Sequence, residues 1–96
     1  GIVRSKKKAF INISVRRKNN NKTTTAVPAI LSGSTANLLG QTQYLEFQEI
    51  RETGAIYYIA TFPIIDQEWL KFNIEVQPNR DNKPFHVFFK QQFYKD

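Results

Sequence analysis

Apolar and polar side chains alternate along most of this sequence, and most regularly along residues 70–78. There, Leu70, Phe72, Ile74 and Val76 fall on one side of an extended chain, and the residues between them are polar or charged. A period of two is typical of a strand with one face in the core and the other in water. Looser versions of this pattern predict five further strands, over residues 8–17, 26–37, 42–51, 55–62 and 84–94. Both sides of the strand 55–62 are largely apolar, which favours a central position in its sheet.

Residues that favour turns separate the predicted strands, at positions 19–23, 37–41, 52–54 and 79–83. Pro63 is predicted to end the strand 55–62, and Gly33 between two serines indicates a bulge. No stretch shows a convincing helical period. The pattern therefore predicts an all-β domain of about six strands, without a long helix. The expected architecture is an antiparallel, immunoglobulin-like sandwich of two sheets, and a small closed barrel is the alternative.

The amino-acid composition excludes several kinds of chemical site but does not identify a function. Ninety-six residues make one domain, and the absence of cysteine rules out disulfides and thiolate metal sites. The only histidine, His86, has no second histidine or cysteine to complete a metal site, so a surface or structural role is expected. The four glycines are scattered and form no phosphate-binding loop, and no apolar run reaches the length of a membrane span. We therefore predict no catalytic residues, cofactor, metal or transmembrane segment, and a protein that is not an enzyme.

Charged side chains are distributed unevenly. The net charge is +6, yet residues 1–45 contain eight basic side chains and no acidic one. The candidate anion contacts are Arg4, Lys6, Lys7, Lys8, Arg16, Arg17 and Lys18. On one regular strand, Lys8 and Arg16 would lie about 26 Å apart, in two clusters rather than one patch. Charges that guard strand ends explain this arrangement better than a nucleic-acid interface does. In the second half of the chain, Glu49 and Arg51 share a strand face, which predicts an ion pair.

Several aromatic residues do not fit the main apolar face. In the last predicted strand, the residues that share the apolar side are Phe85, Val87, Phe89 and Phe93. The residues outside such faces, which form the candidate partner surface, are Tyr57, Trp69, Phe88 and Tyr94. They either cover a second layer of structure or form an exposed patch for a protein partner.

Residues 1–6, 36–41, 49–52, 55–60, 74–78 and 91–94 resemble, in this order, a small gammaproteobacterial family catalogued only as a domain of unknown function. Where this chain has Thr53 and Gly54, the family usually has Gly-Asp, which alters only a turn. Its members usually carry an export signal, so the resemblance implies a periplasmic location, with the signal upstream of this chain. They also contain a further stretch before the position of Gly1. The resemblance therefore implies a slightly truncated sandwich that lacks its first strand, with an exposed edge that favours a homodimer or strand exchange.

Together these observations predict a non-enzymatic, exported β-sandwich module for protein–protein interaction in the bacterial envelope. The alternative is an anion-binding module that uses the basic amino-terminal region to bind nucleic acid or anionic lipid. Of these two partners we regard nucleic acid as the less favoured. A hydrolase would need a pocket that brings two titratable groups into contact, and the sequence shows no such pair.

Overall fold

The computed structural model describes residues 7–78 and 83–94, and these residues form nine β-strands and no helix. The strands are β1 (Lys7–Ile13), β2 (Arg16–Lys18), β3 (Thr24–Ala26), β4 (Ala29–Asn37), β5 (Thr42–Leu45), β6 (Gln48–Glu52), β7 (Ala55–Ile64), β8 (Glu68–Pro78) and β9 (Phe85–Phe93). Every paired neighbour runs antiparallel. The predicted all-β, antiparallel fold is therefore confirmed.

The strands form two larger sheets and a small ribbon. One sheet has the order β1-β7-β6 and the other has the order β5-β4-β8-β9, whereas β2 and β3 pair only with each other. The two larger sheets pack face to face as a sandwich, and neither closes into a barrel. The buried core cluster between them consists of Leu45, Ala60, Phe62, Ile64, Leu70, Phe72, Ile74 and Val76.

The two central strands carry most of this core because their side chains alternate as the sequence predicts. Along β8, buried residues alternate with exposed ones from Leu70 to Val76. Phe62 of β7 meets Phe72 of β8 edge-on, with ring centroids 5.2 Å apart, and Phe93 of β9 at 5.3 Å. Such contacts between large aromatic rings join the two sheets.

Two predicted strands each divide into two, and the short strand β3 precedes β4, so the described residues contain nine strands instead of about six. The predicted strand 8–17 breaks at Ser14 and Val15 into β1 and β2. The predicted strand 42–51 breaks at Glu46 and Phe47 into β5 and β6, which belong to opposite sheets. A chain that crosses from one sheet of a sandwich to the other can keep its alternation of apolar residues through the corner. The pattern alone therefore does not reveal the break.

Two local predictions, at Pro63 and Gly33, are wrong, and the pairing of the strands explains why. β7 continues through Pro63 to Ile64, because its pairing with β6 ends at Ile59 and leaves one side of the strand without a partner. A residue without an N–H is tolerated on such a side. The bulge predicted at Gly33 is absent from the continuous β4–β8 ladder. Glycine at this position instead allows β4 and β8 to lie close together, since a Cβ atom on residue 33 would lie 2.8 Å from the carbonyl oxygen of Asn73.

The predicted turn at residues 37–41 is confirmed. The Asn37 side-chain oxygen accepts hydrogen bonds from the N–H groups of Leu39, at 3.0 Å, and Gln41, at 2.9 Å. Gly40 follows with a φ of 84°, a conformation in which glycine avoids the strain of a side chain. The predicted hairpin loop 79–83 lies mostly outside the described residues.

Candidate interaction surface

The two packed sheets differ in their number of strands, which leaves one flank of the sandwich uncovered. Only Glu46 and Phe47 join β5 to β6, so these two edge strands lie on the same side of the sandwich. The fourth strand of the larger sheet, β9, is the edge at the other side. Among the strands that the structure describes, three lie opposite four, so none of them faces the first half of β9.

Two apolar side chains of β9 occupy this uncovered position. Phe85 pairs with Val76 and Val87 pairs with Ile74, so both point to the inner side of the sheet. Val76 and Ile74 are buried, whereas Phe85 is 60% exposed and Val87 is 40% exposed. Further along β9 the inner side is covered, and Phe89 stacks on Phe72 with ring centroids 4.7 Å apart.

The edge strand of the smaller sheet lies beside this gap. β1 pairs with β7 on one side, and no strand among residues 7–78 and 83–94 pairs with its other side. A strand added there would lie about 4.8 Å from β1 and about 10 Å from the facing sheet. We call the unpaired edge of β1 together with Phe85 and Val87 the open flank.

The four aromatic residues of the candidate partner surface do not share one face. Tyr57 pairs with Ile50 and faces outward from the three-stranded sheet. Trp69 and Phe88 face outward from the four-stranded sheet, on the opposite side of the molecule. Tyr94 follows β9, and its hydroxyl donates a hydrogen bond of 2.7 Å to the Gln92 side chain.

The basic residues are divided between two sheets. Arg4 and Lys6 lie outside the described residues, Lys7 and Lys8 begin β1, and Arg16, Arg17 and Lys18 form β2. The single strand that was expected to join Lys8 to Arg16 is therefore absent, because β1 ends at Ile13.

Hydrogen bonds hold one of these basic side chains in place. Arg16 Nε donates to the Thr24 hydroxyl at 2.7 Å, and its Nη2 donates to the Thr24 carbonyl at 3.1 Å. Its Nη1 reaches the Gly54 carbonyl at 3.4 Å. This guanidinium group therefore ties the β2–β3 ribbon to the turn between β6 and β7.

A polar network around Tyr58 connects both sheets. The buried Tyr58 hydroxyl accepts a hydrogen bond from the Ala29 N–H at 2.8 Å and donates one to Glu49 Oε1 at 2.8 Å. The predicted ion pair is confirmed, with Arg51 Nε 3.1 Å from Glu49 Oε2. Hydrogen bonds from Arg51 and then Tyr58 lower the pKa of Glu49. Burial raises the pKa of Tyr58, and its bond to Glu49 adds to the rise.

No metal-binding cluster appears in the described part of the chain, where three His, Asp or Glu side chains never converge. His86 is exposed, and its Nε2 lies 3.6 Å from Glu75 Oε2. The same residues include no helix that is long and apolar enough to cross a membrane.

The fold and the open flank define the class of the protein as an antiparallel two-sheet β-sandwich in whose described part the unpaired edge of β1 lies beside exposed apolar residues. The model of the family DUF4426, described as a domain of unknown function, matches residues 1–96. The chain belongs to this family, which confirms the resemblance to a family of unknown function.

A solved relative has the same architecture. The crystal structure of a DUF4426 family protein from Pseudomonas aeruginosa PAO1, at 2.09 Å resolution, shares 34% sequence identity with this chain and superposes with a TM-score of 0.77. The match covers 97% of this chain and 79% of that chain. No curated protein matches the sequence.

Proposed function

We propose that this protein is a non-enzymatic module of the bacterial envelope that binds a partner protein by accepting one of its strands at the open flank. The observation that carries the proposal is that Phe85 and Val87 are exposed on the inner side of β9, next to the unpaired edge of β1. Addition of a strand to an exposed sheet edge is a recurring mode of peptide recognition, in which alternate side chains fill pockets. The periplasmic location is supported by the family resemblance alone.

The energetics indicate what the partner strand must supply. Burial of the exposed parts of Phe85 and Val87 contributes about 2 kcal/mol, and each new backbone hydrogen bond along β1 contributes about 1 kcal/mol. Association costs at least about 4 kcal/mol in lost freedom of motion. A strand of about seven residues that pairs along all of β1 therefore binds only modestly through its backbone. The partner strand needs apolar side chains at alternate positions to pack against β9.

Phe85 and Phe88 provide a matched test, since they lie on the same strand with similar exposure, 60% and 67%, but on opposite faces. The full chain, with Phe85→Glu or Phe88→Glu, is used to capture partners from an envelope extract. We expect the native protein and Phe88→Glu to retain the same partner and Phe85→Glu to lose it. Equal capture by both variants would show that the open flank is not the binding surface.

A second copy of the chain is the simplest strand donor. In that case light scattering at high protein concentration gives a dimer mass for the native protein, and amide exchange slows along β1 in the dimer. A monomeric mass at all concentrations would exclude the second copy as the donor and leave a different protein in that role.

The anion-binding alternative receives less support from the geometry. Its described candidate residues are divided between β1 and β2, and Arg16 already donates three hydrogen bonds within the protein. A titration with DNA or anionic vesicles distinguishes the two functions. Saturable binding that weakens steeply as salt is added would favour the alternative, because phosphate contacts release counterions.

A further inference from the structure

A cleft lies at the end of the sandwich where β4 turns into β5 and β7 turns into β8. Its volume is about 290 Å³, close to the lower end of the range for small-molecule sites. It uses neither β1 nor the exposed residues of β9. The lining residues on which the argument depends are Thr35, Asn37, Gln41, Ile64, Glu68 and Leu70.

A buried hydroxyl without a hydrogen-bond partner lies in the wall of this cleft. Thr35 is only 4% exposed, and its Oγ1 atom has no partner within the described residues. Buried polar side-chain atoms nearly always have a hydrogen-bond partner, so an exception requires an explanation. A ligand in the cleft would supply the missing partner after a rotation of the side chain.

The charges of the residues that line the cleft favour a positively charged ligand. Glu68 is half-buried, and its carboxylate forms no ion pair with any residue that the structure describes. Among residues 7–78 and 83–94, no lysine or arginine lines the cleft, and Lys7, which pairs with Ile64 in the β1–β7 ladder, is not part of the lining. The described residues of the wall therefore carry one negative charge and no positive charge.

The rim of the cleft is fixed, and its base is apolar. The Asn37 side-chain nitrogen donates to Gln41 Oε1 at 2.6 Å, and the two N–H contacts of the 37–41 turn hold the Asn37 oxygen. The buried side chains of Ile64 and Leu70 supply apolar surface. An ammonium group has three donors and no acceptor, which matches a carboxylate and a hydroxyl oxygen.

We propose that this cleft binds the primary ammonium group of a small ligand with a short apolar chain. Glu68 neutralises the charge, the Thr35 hydroxyl accepts one hydrogen bond, and the chain packs against Ile64 and Leu70. The ammonium group belongs either to a free alkylamine or to a lysine side chain of a second polypeptide, since both present the same chemistry.

Three probes of similar size and different charge test the charge selection. The full chain, labelled with ¹⁵N and kept in a buffer free of amines, is titrated with n-butylamine, 1-butanol and butyrate while its amide resonances are recorded. We expect saturable shifts at residues 35, 37, 41 and 68 with butylamine, and at least tenfold weaker binding of the alcohol and the acid. Equal affinity for butylamine and butanol, or no saturation, would overturn the proposal.

Two substitutions on β8 test the role of the carboxylate. Glu68→Gln keeps the size of the side chain and removes its charge, and we expect at least tenfold weaker binding of butylamine. Glu75→Gln, on the outer face of the same strand, should leave the affinity for butylamine unchanged.

A third substitution, on β4, tests the hydroxyl group. Thr35→Val, which removes the unpartnered hydroxyl without a loss of volume, should weaken binding of butylamine severalfold. Unchanged affinity in Glu68→Gln, with the amide spectrum of the folded protein retained, would refute the site.

One further probe separates the two sources of the ammonium group. Nα-acetyl-lysine methylamide carries the same charge on a peptide backbone. Binding at least as tight as that of butylamine indicates a lysine side chain of a partner, and binding of butylamine alone indicates a free amine. Absence of binding by both would overturn the proposal.

Discussion

Replacement of Tyr58 by phenylalanine tests whether its hydroxyl holds the two sheets together. The residue is 3% exposed, and its hydroxyl is the acceptor for the Ala29 N–H and the donor to Glu49. Without the hydroxyl, the partly buried Ala29 N–H loses its acceptor, which costs about 1–3 kcal/mol. Since 1 kcal/mol shifts the Tm of a domain of this size by about 4–8 °C, a loss near 2 kcal/mol lowers the Tm by roughly 8–16 °C.

The adjacent tyrosine provides the control. Tyr57 lies on the outer face of the same strand, and its hydroxyl has no hydrogen-bond partner among the described residues. Urea and thermal unfolding of Tyr58→Phe and Tyr57→Phe should show a large loss of stability for the first and a change within about 0.5 kcal/mol for the second. Equal losses would refute the role of the network. In the background of Glu49→Gln, the cost of Tyr58→Phe should become smaller, because one of the two partners is weakened.

Three further predictions concern the core, the close strand contact and pH. Phe62→Ala should lower the free energy of unfolding by about 3–5 kcal/mol, whereas Phe10→Ala, at a 66% exposed residue, should change it by about 0.5 kcal/mol. Gly33→Ala should cost about 1–3 kcal/mol because its methyl group meets a backbone carbonyl, and Ser34→Ala on the same strand serves as the control. The lowered pKa of Glu49 contributes stability above pH 4.5 that is lost as the pH falls through the folded-state pKa. A plot of Tm against pH should therefore be flatter in this region for Glu49→Gln than for the native protein, and parallel plots would contradict the assignment.

The sequence predicts those features that depend on neighbours along the strand. The buried face of β8 and the ion pair of Glu49 with Arg51 both follow from side chains that alternate with a period of two. The all-β class follows from longer stretches with the same property, whereas the family follows from the resemblance of several short motifs along the chain. These features need no knowledge of which sheet a strand joins.

The open flank and the cleft depend on the number and position of distant strands, and the sequence pattern does not carry that information. Phe85 and Val87 alternate as regularly as Phe72 and Ile74 do, and the side of β9 to which they point is predicted correctly. Their exposure results from the three strands of the opposite sheet. The cleft places Thr35 near Glu68, which is 33 residues away in the sequence. Tyr58 fits an apolar face, so the sequence pattern conceals the hydrogen bonds of its hydroxyl.

The position of β1 in its sheet has a consequence for the order of folding. Lys7 pairs with Ile64, a partner 57 residues later in the chain, whereas Val76 pairs with Phe85, a partner nine residues later. Contacts between distant residues form slowly, because a long loop must close first. During synthesis, β1 therefore waits for β7 to leave the ribosome, and for that interval the edge of β1 that pairs with β7 is open to any other extended chain nearby. We expect newly made protein to be most prone to capture by chaperones and to domain swapping at this stage.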